Sequence, residues 1–305
     1  MLVLRKFKPT DFEEVGRLHD QLFVQNAQNS QEWKAGQQFD YQPEPLNKWV
    51  VVEPNASQVL GYSAFRSTHR PDYWRIDLMV HPQWHRQGIG DILFEHLLLE
   101  LYRLKAVGIH ARVRGDNACS IQFLLKRGFE PVHLMVGMSL DLTEADFSRF
   151  EPVVGRIISQ GIRITTLAEE QAAGVDYLPQ LLTLHNSVLA DWPDPVPGRV
   201  IPFIIEGYKS MLEKSALQQP QSFFIAAKGE EYLGFSSAFA LGTAVHPAHR
   251  HHGIATALKV CALKQARENG LKQLFTTSAN PAMIRLNEGL GYRSYSSELR
   301  LVKVL

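Results

Sequence analysis

TAVHPAHRHHGIATALK, running from Thr243 to Lys259, is the stretch that decides the fold. Small and β-branched residues lead through His246-Pro247 and a basic run into Gly253. An apolar-periodic segment follows. The pattern is that of a strand, a polar turn and the start of a helix. The same order occurs earlier as MVHPQWHRQGIGDILFEHLL, residues 79–98. Val80 to Val245 and Gly88 to Gly253 are both 165 positions apart. Downstream, NACSIQFLLKRGF (117–129) and NPAMIRLNEGLGY (280–292) repeat, with Asn117 to Asn280 and Gly128 to Gly291 both 163 apart. A repeat this long is a duplicated domain and not a solenoid.

Working outward from these landmarks, each half reads as the same series of elements. Thr10-Asp11 opens a helix to about Phe23, with Phe12, Val15, Leu18 and Leu22 at helical spacing. Strands follow near 47–53, 58–66 and 73–81, then a helix from Gly88 to about Leu104, a strand at 108–114, a helix at 117–127 and a strand near 131–141. In the second half, helices are expected near 169–189, 201–213, 253–269 and 280–289. The fold class is α+β. It comprises two tandem α/β/α domains, each a mixed, mostly antiparallel sheet flanked by helices. The expected boundaries are 1–145 and 161–305, with 146–160 as a linker.

The chemistry is expected at the Gly-containing loops. Glycine lets backbone approach a ligand closely, and the first turn of a helix offers unpaired N–H groups at its positive end. A pyrophosphate suits that place. Its donors would be the N–H groups of Gln87, Gly88, Gly90 and Asp91 in the first half. In the second they would be those of His252, Gly253, Ala255 and Thr256. One copy of such a loop is as readily explained by tight packing. Two copies in one strand-loop-helix context favour the ligand.

Arg250-His251-His252-Gly253-Ile254-Ala255 and the Asn280 helix resemble the GNAT superfamily of acyl-CoA N-acyltransferases. The combination of TAVHPAHRHHGIATALK with TTSANPAMIRLNEGLGY is similar to C-terminal domains of tandem bacterial members, including mycothiol synthase-like ones. The resemblance implies acetyl-CoA, or another short acyl-CoA, as cofactor. It also implies that the N–H groups of Val80 and Val245 polarise a thioester carbonyl, with Asn117 and Asn280 beside the cofactor. In the first half the loop reads His85-Arg86-Gln87-Gly88-Ile89-Gly90, with His85 at the usual Arg or Gln position, so that half is expected to be degenerate.

The resemblance also implies a tyrosine that protonates the departing thiolate. Its position holds Leu124 in one half and Asn287 in the other. Asn287 is the candidate contact to the cofactor arm and sulfur. Tyr292 is a backup acid that is more readily a core aromatic. Asp77 is the candidate base, and a solvated strand carboxylate is an equal reading. Asp191 and Trp192, in a Pro-rich loop with Asp194, suit a cationic amine, although a Pro-stiffened turn explains them as well. The polar stretch 25–41 is a further acceptor-side candidate. His246, His249, His251 and His252 lack the spacing of a metal site, and no metal is expected.

The alternatives to acetylation of a small-molecule amine are a non-catalytic acyl-CoA-binding module and a protein or peptide N-acetyltransferase. A Rossmann domain is disfavoured, because no acidic residue follows the loop at about 20 positions. Net charge is +1, which gives no reason to expect nucleic acid or membrane as partner. Two cysteines and no long apolar run make a cytoplasmic monomer or homodimer the simplest expectation. Finally, Leu60-Gly61 lies 173 positions from Leu233-Gly234, whereas Val80 lies 165 from Val245. The second half is therefore eight residues shorter between its third and fourth strands.

Overall fold

The computed structural model describes residues 2–23, 47–54, 58–68, 70, 72–193, 201–239 and 242–305. The 25–41 stretch and Asp194 lie outside them. The first half holds β1 (Val3–Lys6), α1 (Phe12–Phe23), β2 (Lys48–Val52), β3 (Val59–Ser67) and β4 (Tyr73–Val80). It continues with α2 (Ile89–Arg103), β5 (Gly108–Arg114), α3 (Ala118–Leu125) and β6 (Glu130–Asp141). Residues 146–160, expected as a linker, include a helix, α4 (Glu151–Ser159). The second half holds β7 (Arg163–Thr166), α5 (Leu167–Ala172), α6 (Tyr177–Val188), α7 (Ile205–Glu213), β8 (Phe223–Lys228), β9 (Glu231–Ser237) and β10 (Thr243–Val245). It ends with α8 (Ile254–Glu268), β11 (Gln273–Ser278), α9 (Pro281–Gly289) and β12 (Arg293–Val304). The helix expected over 169–189 is broken in two, because Gly174 takes a left-handed conformation (φ +68°) that ends α5.

The chain forms two compact units whose bounds do not follow the two halves of the sequence. One comprises Met1–Val113, Asn117–Val132 and Arg300–Leu305; the other comprises Arg114–Asp116 and His133–Leu299. In the first unit the order is β1-β2-β3-β4-β5, followed by the end of β12. Leu305 N–H donates there to Val107 C=O (2.9 Å). In the second unit β6 pairs antiparallel with β11, from Gln273 opposite Asp141 to Ser278 opposite Val136. A separate sheet in that unit runs β10-β9-β8-β7.

In the first unit, Val15 and Leu18 of α1 pack on Val50, Val52 and Tyr62, while Ile89 and Leu93 of α2 pack on Val51 and Leu60. The Leu-Gly landmarks explain how the strand-loop-helix elements sit so close. A Cβ on Gly61 would lie 2.7 Å from Ile89, and one on Gly234 would lie 2.8 Å from the Ala244 carbonyl and 3.2 Å from Leu258. Glycine is what lets β3 and β9 meet their helices.

The missing eight residues shorten one strand. β4 has eight residues and pairs with β5 in parallel, Tyr73–Arg75 against Gly108–His110. Its counterpart β10 has three, and the hairpin closes at once, with Ser237 N–H donating to Gly242 C=O (3.0 Å).

Candidate active site

The two loops share one geometry. His81 and His246 each cap a short 3-10 turn, Nδ1 accepting from the N–H of Gln83 and Ala248 at 3.3 Å. Arg86 and His251 then take positive φ (+59° and +66°), and Gly88 and Gly253 follow at +82° and +89° as the N-caps of α2 and α8. The first helical bonds run from Ile92 N–H to Gly88 C=O and from Ala257 N–H to Gly253 C=O, both 3.0 Å. Helix geometry therefore leaves the N–H groups of Ile89, Gly90 and Asp91, and of Ile254, Ala255 and Thr256, without an intrahelical partner. Three outward donors at the positive end of a fifteen-residue helix form an anion cradle.

The strand before each loop supplies one more donor. His246 N–H bonds Leu233 C=O, and His81 N–H bonds Leu60 C=O, both at 2.8 Å. Antiparallel alternation turns the Val245 and Val80 N–H groups to the opposite edge. β10 is the outer strand of its sheet, so the Val245 N–H meets no partner strand among the described residues. The β4–β5 pairing ends at Arg75, before Val80. The first loop position also plays the same part in both halves: His85 Nε2 lies 2.9 Å from Val80 O, and Arg250 Nε donates to Val245 O at 3.1 Å.

The halves differ in charge. Asp91 stands in the first turn of α2, where the second half has Thr256, and it ion-pairs with Arg127. The Arg127 guanidinium lies 3.5 Å over the Phe123 ring, and Phe123 packs against Gly90. A carboxylate, paired with Arg127, thus stands in the first turn beside the cradle of the first half, where its charge disfavours a second anion. The second cradle carries Arg250, His251 and His252 and no acid in its first turn.

Other candidates from the sequence sit elsewhere. Asn117 and Asn280 are N-caps, Oδ1 accepting from Ser120 N–H (3.0 Å) and from Ala282 N–H (2.9 Å) respectively. Capping accounts for both. Asn287 is fully buried, its Nδ2 3.7 Å from Met138 Sδ and its Oδ1 without a partner among the described residues, so it is not exposed to a bound thiolate. Tyr292 belongs to the core, where burial pushes its phenol up to about 12. That makes it a reluctant proton donor.

Asp77 is held by Arg66 (2.6 Å) and Arg75 (3.3 Å). Burial acts to raise its carboxyl, and the fields of Arg75 and Arg66 outweigh it, leaving the carboxyl below its ordinary value. A paired, weakly basic carboxylate is poorly suited to take a proton from an ammonium group.

Asp191 does not stand free for an amine. Its carboxylate pairs with Arg250 of the loop, and Trp192 packs on His185 at 4.9 Å. His249 lies 3.3 Å from Glu231, and among the described residues no group of three or more His, Cys, Asp or Glu side chains could hold a metal. No helix among them is long and apolar enough to cross a membrane. Two features went unread in the sequence. One is the Asp91–Arg127 pair, which needs tertiary contact to be seen. The other is Lys259, a cation on the buried face of α8 at the position of Phe94 in the first half.

A strand that runs into an anion cradle is thus built twice in one chain, and in both halves this arrangement falls within a match to a family of N-acetyltransferases. Residues 45–131 match the Acetyltransferase (GNAT) domain, and residues 183–292 match the Acetyltransferase (GNAT) family. The two matches span more than half of the chain, which belongs to this family and carries two of its domains in tandem. A mycothiol acetyltransferase of Amycolatopsis mediterranei is 23% identical over 264 residues, covering 80% of each chain. One from Streptomyces scabiei is 24% identical over 252 residues, covering 79% of this chain and 75% of its own. Among solved structures, a GCN5-related N-acetyltransferase from Sphaerobacter thermophilus superposes with a TM-score of 0.73 at 16% identity, covering 99% of this chain and 95% of that one. A tandem GNAT protein from the clavulanic acid biosynthesis pathway gives 0.64 at 17%, covering 100% and 98%. These structures share the fold.

Proposed function

We propose that the chain acetylates an amine on a small molecule with acetyl-CoA, and that the second half does the work. The carrying observation is a difference between two otherwise matching cradles: the first turn of α2 carries Asp91, whereas the first turn of α8 carries no acid and its loop holds Arg250, His251 and His252. The ancestral repeats are assigned to 1–145 and 161–305. The mycothiol acetyltransferase relatives, matched over most of their length, support a small amine as acceptor.

The residues fit the cofactor. The N–H groups of Ile254, Ala255 and Thr256, with His252, Gly253 and the basic side chains of Arg250 and His251, would hold the pyrophosphate. Acetyl-CoA supplies an activated acetyl thioester. The Val245 N–H would orient and polarise its carbonyl. No side chain placed here is a strong acid for the departing thiol, whose pKa near about 8.5 lets it leave without one. Titration of acetyl-CoA into the wild-type chain should show one tight site per chain, and a panel of small amines should then release CoA. Absence of binding overturns the reading. The burial of Asn287 favours a second reading, acyl-CoA binding without turnover. Tight binding with no CoA release on any amine would select it.

Arg250 is shared between Asp191 and the proposed phosphate site. Asp191→Asn should free it and tighten acetyl-CoA binding by about two- to fivefold, the range of an exposed ion pair. Weaker binding in that titration would mean that Asp191 instead holds Arg250 in its useful position.

A further inference from the structure

The second unit contains a cavity of about 200 Å³, lined by residues that include Ser236, Phe239, Gly242, Lys259, Thr276 and Tyr292. It lies between the β9–β10 hairpin, α8 and β11. In the first unit the matching strands β4 and β5 are hydrogen-bonded over Tyr73–Arg75. In the second, the strand that would pair there is cut to three residues. The lining of the two units differs in kind as well. Phe94 and Phe129 pack together in the first, with ring centroids 6.0 Å apart. Lys259 and Tyr292 hold those positions in the second, with the Lys259 ammonium 5.6 Å over the Tyr292 ring.

Lys259 is nine-tenths buried, and no described carboxylate pairs with it. Burial alone pushes its amine down to about 8, so it is still largely charged at neutral pH. A buried cation without a counter-ion is costly, and a phenylalanine would fill the site at no such cost. Thr276, Tyr292 and Ser236, the last with its hydroxyl 2.8 Å from that of Thr243, share the lining, so hydroxyl-bearing residues and a cation border one cavity. Its volume suits a small group, well short of a whole cofactor.

We propose that this cavity binds a carboxylate, with Lys259 as the counter-ion. The carboxylate belongs either to the acceptor molecule or to the far end of an acyl chain. The acyl-chain source rests on the acyl-CoA reading above; binding of a free carboxylate does not.

The test begins with isothermal titration of succinate and of neutral succinamide into wild type and Lys259→Met, in matched ionic strength. Lys259→Met keeps the stem and removes the charge, and a thermal melt verifies that it folds. Succinate should bind wild type, at least tenfold less tightly to Lys259→Met, and succinamide should bind neither. No succinate binding to wild type overturns the proposal, as does equal binding to both proteins or equally effective binding of chloride. Succinyl-CoA against acetyl-CoA then separates the sources. A preference for succinyl-CoA that collapses in Lys259→Met assigns the carboxylate to the acyl chain. Equal affinities, with succinate and acetyl-CoA bound together, assign it to the acceptor. Gly253→Trp should lose acetyl-CoA yet keep succinate, so failure of the cofactor reading and failure of the cavity reading give different results.

Discussion

Gly253→Trp should weaken acetyl-CoA binding at least about 100-fold, close to 2.8 kcal/mol, whereas Gly88→Trp should change it less than twofold. Both glycines cap a long helix at positive φ, +89° and +82°, so both substitutions carry about the same backbone strain, roughly 1–2 kcal/mol. Backbone strain therefore does not separate them, and the ligand can. The new indole at 253 sits at the mouth of the cradle, where a Cβ already lies 3.0 Å from Val153. It would screen the N–H groups of the first turn, and each charge-assisted bond lost is worth about 1.5–3 kcal/mol. At 88 a Cβ meets nothing within 4 Å, and the neighbouring first turn already holds the Asp91 carboxylate. Calorimetric titration reads the affinities, and circular-dichroism melts establish that both variants fold. Equal losses in the two variants would mean that both cradles bind, and loss in Gly88→Trp alone would move the working site to the first half.

The loops were legible because their geometry is local. Val-His-Pro, one residue at positive φ and a capping glycine each constrain only their neighbours, and the constant 165-residue offset carries them from one half to the other. Strand pairing was not legible in this way. β6 and β12 are both twelve-residue strands that follow a glycine turn, and nothing in their alternation says which sheet they join. Their division between the units appears only in the register of β6 against β11 and in the place of Arg300–Leu305. The candidate side chains suffered from the same gap. Asp191 reads as a free carboxylate because its partner, Arg250, is 59 residues away in sequence, and the shorter of the two Asp77 pairs, to Arg66, crosses from β3 to β4. The deletion before β10 was visible as arithmetic. Its consequence, an open volume beside a buried lysine, needed the third dimension.

The sheet β10-β9-β8-β7 of the second half depends on anchors of its own. The main polar one is Glu170 on α5, 2% exposed, which accepts from Arg163 of β7 and from the Tyr232 hydroxyl of β9 (2.5 Å). Glu170→Ala should destabilise the protein by about 3 kcal/mol at pH 7. The buried Tyr232 hydroxyl loses its acceptor, and Arg163, half exposed, recovers part of its loss in water. The effect depends on pH with a definite sign. Hydrogen bonding from Arg163, outweighing burial, holds the Glu170 carboxyl below its ordinary 4.5. The native state thus favours the ionised form, and the stabilisation is complete above about 4.5 and fades as pH falls through the lower native value. Alanine cannot titrate. The stability gap between wild type and Glu170→Ala should therefore be widest at pH 6–7 and narrow steadily below about 4.5, measured by urea unfolding across that range. A gap that stays constant into acid would assign the loss to the vacated volume, and Glu170→Gln, which fills it, would then restore most of the stability.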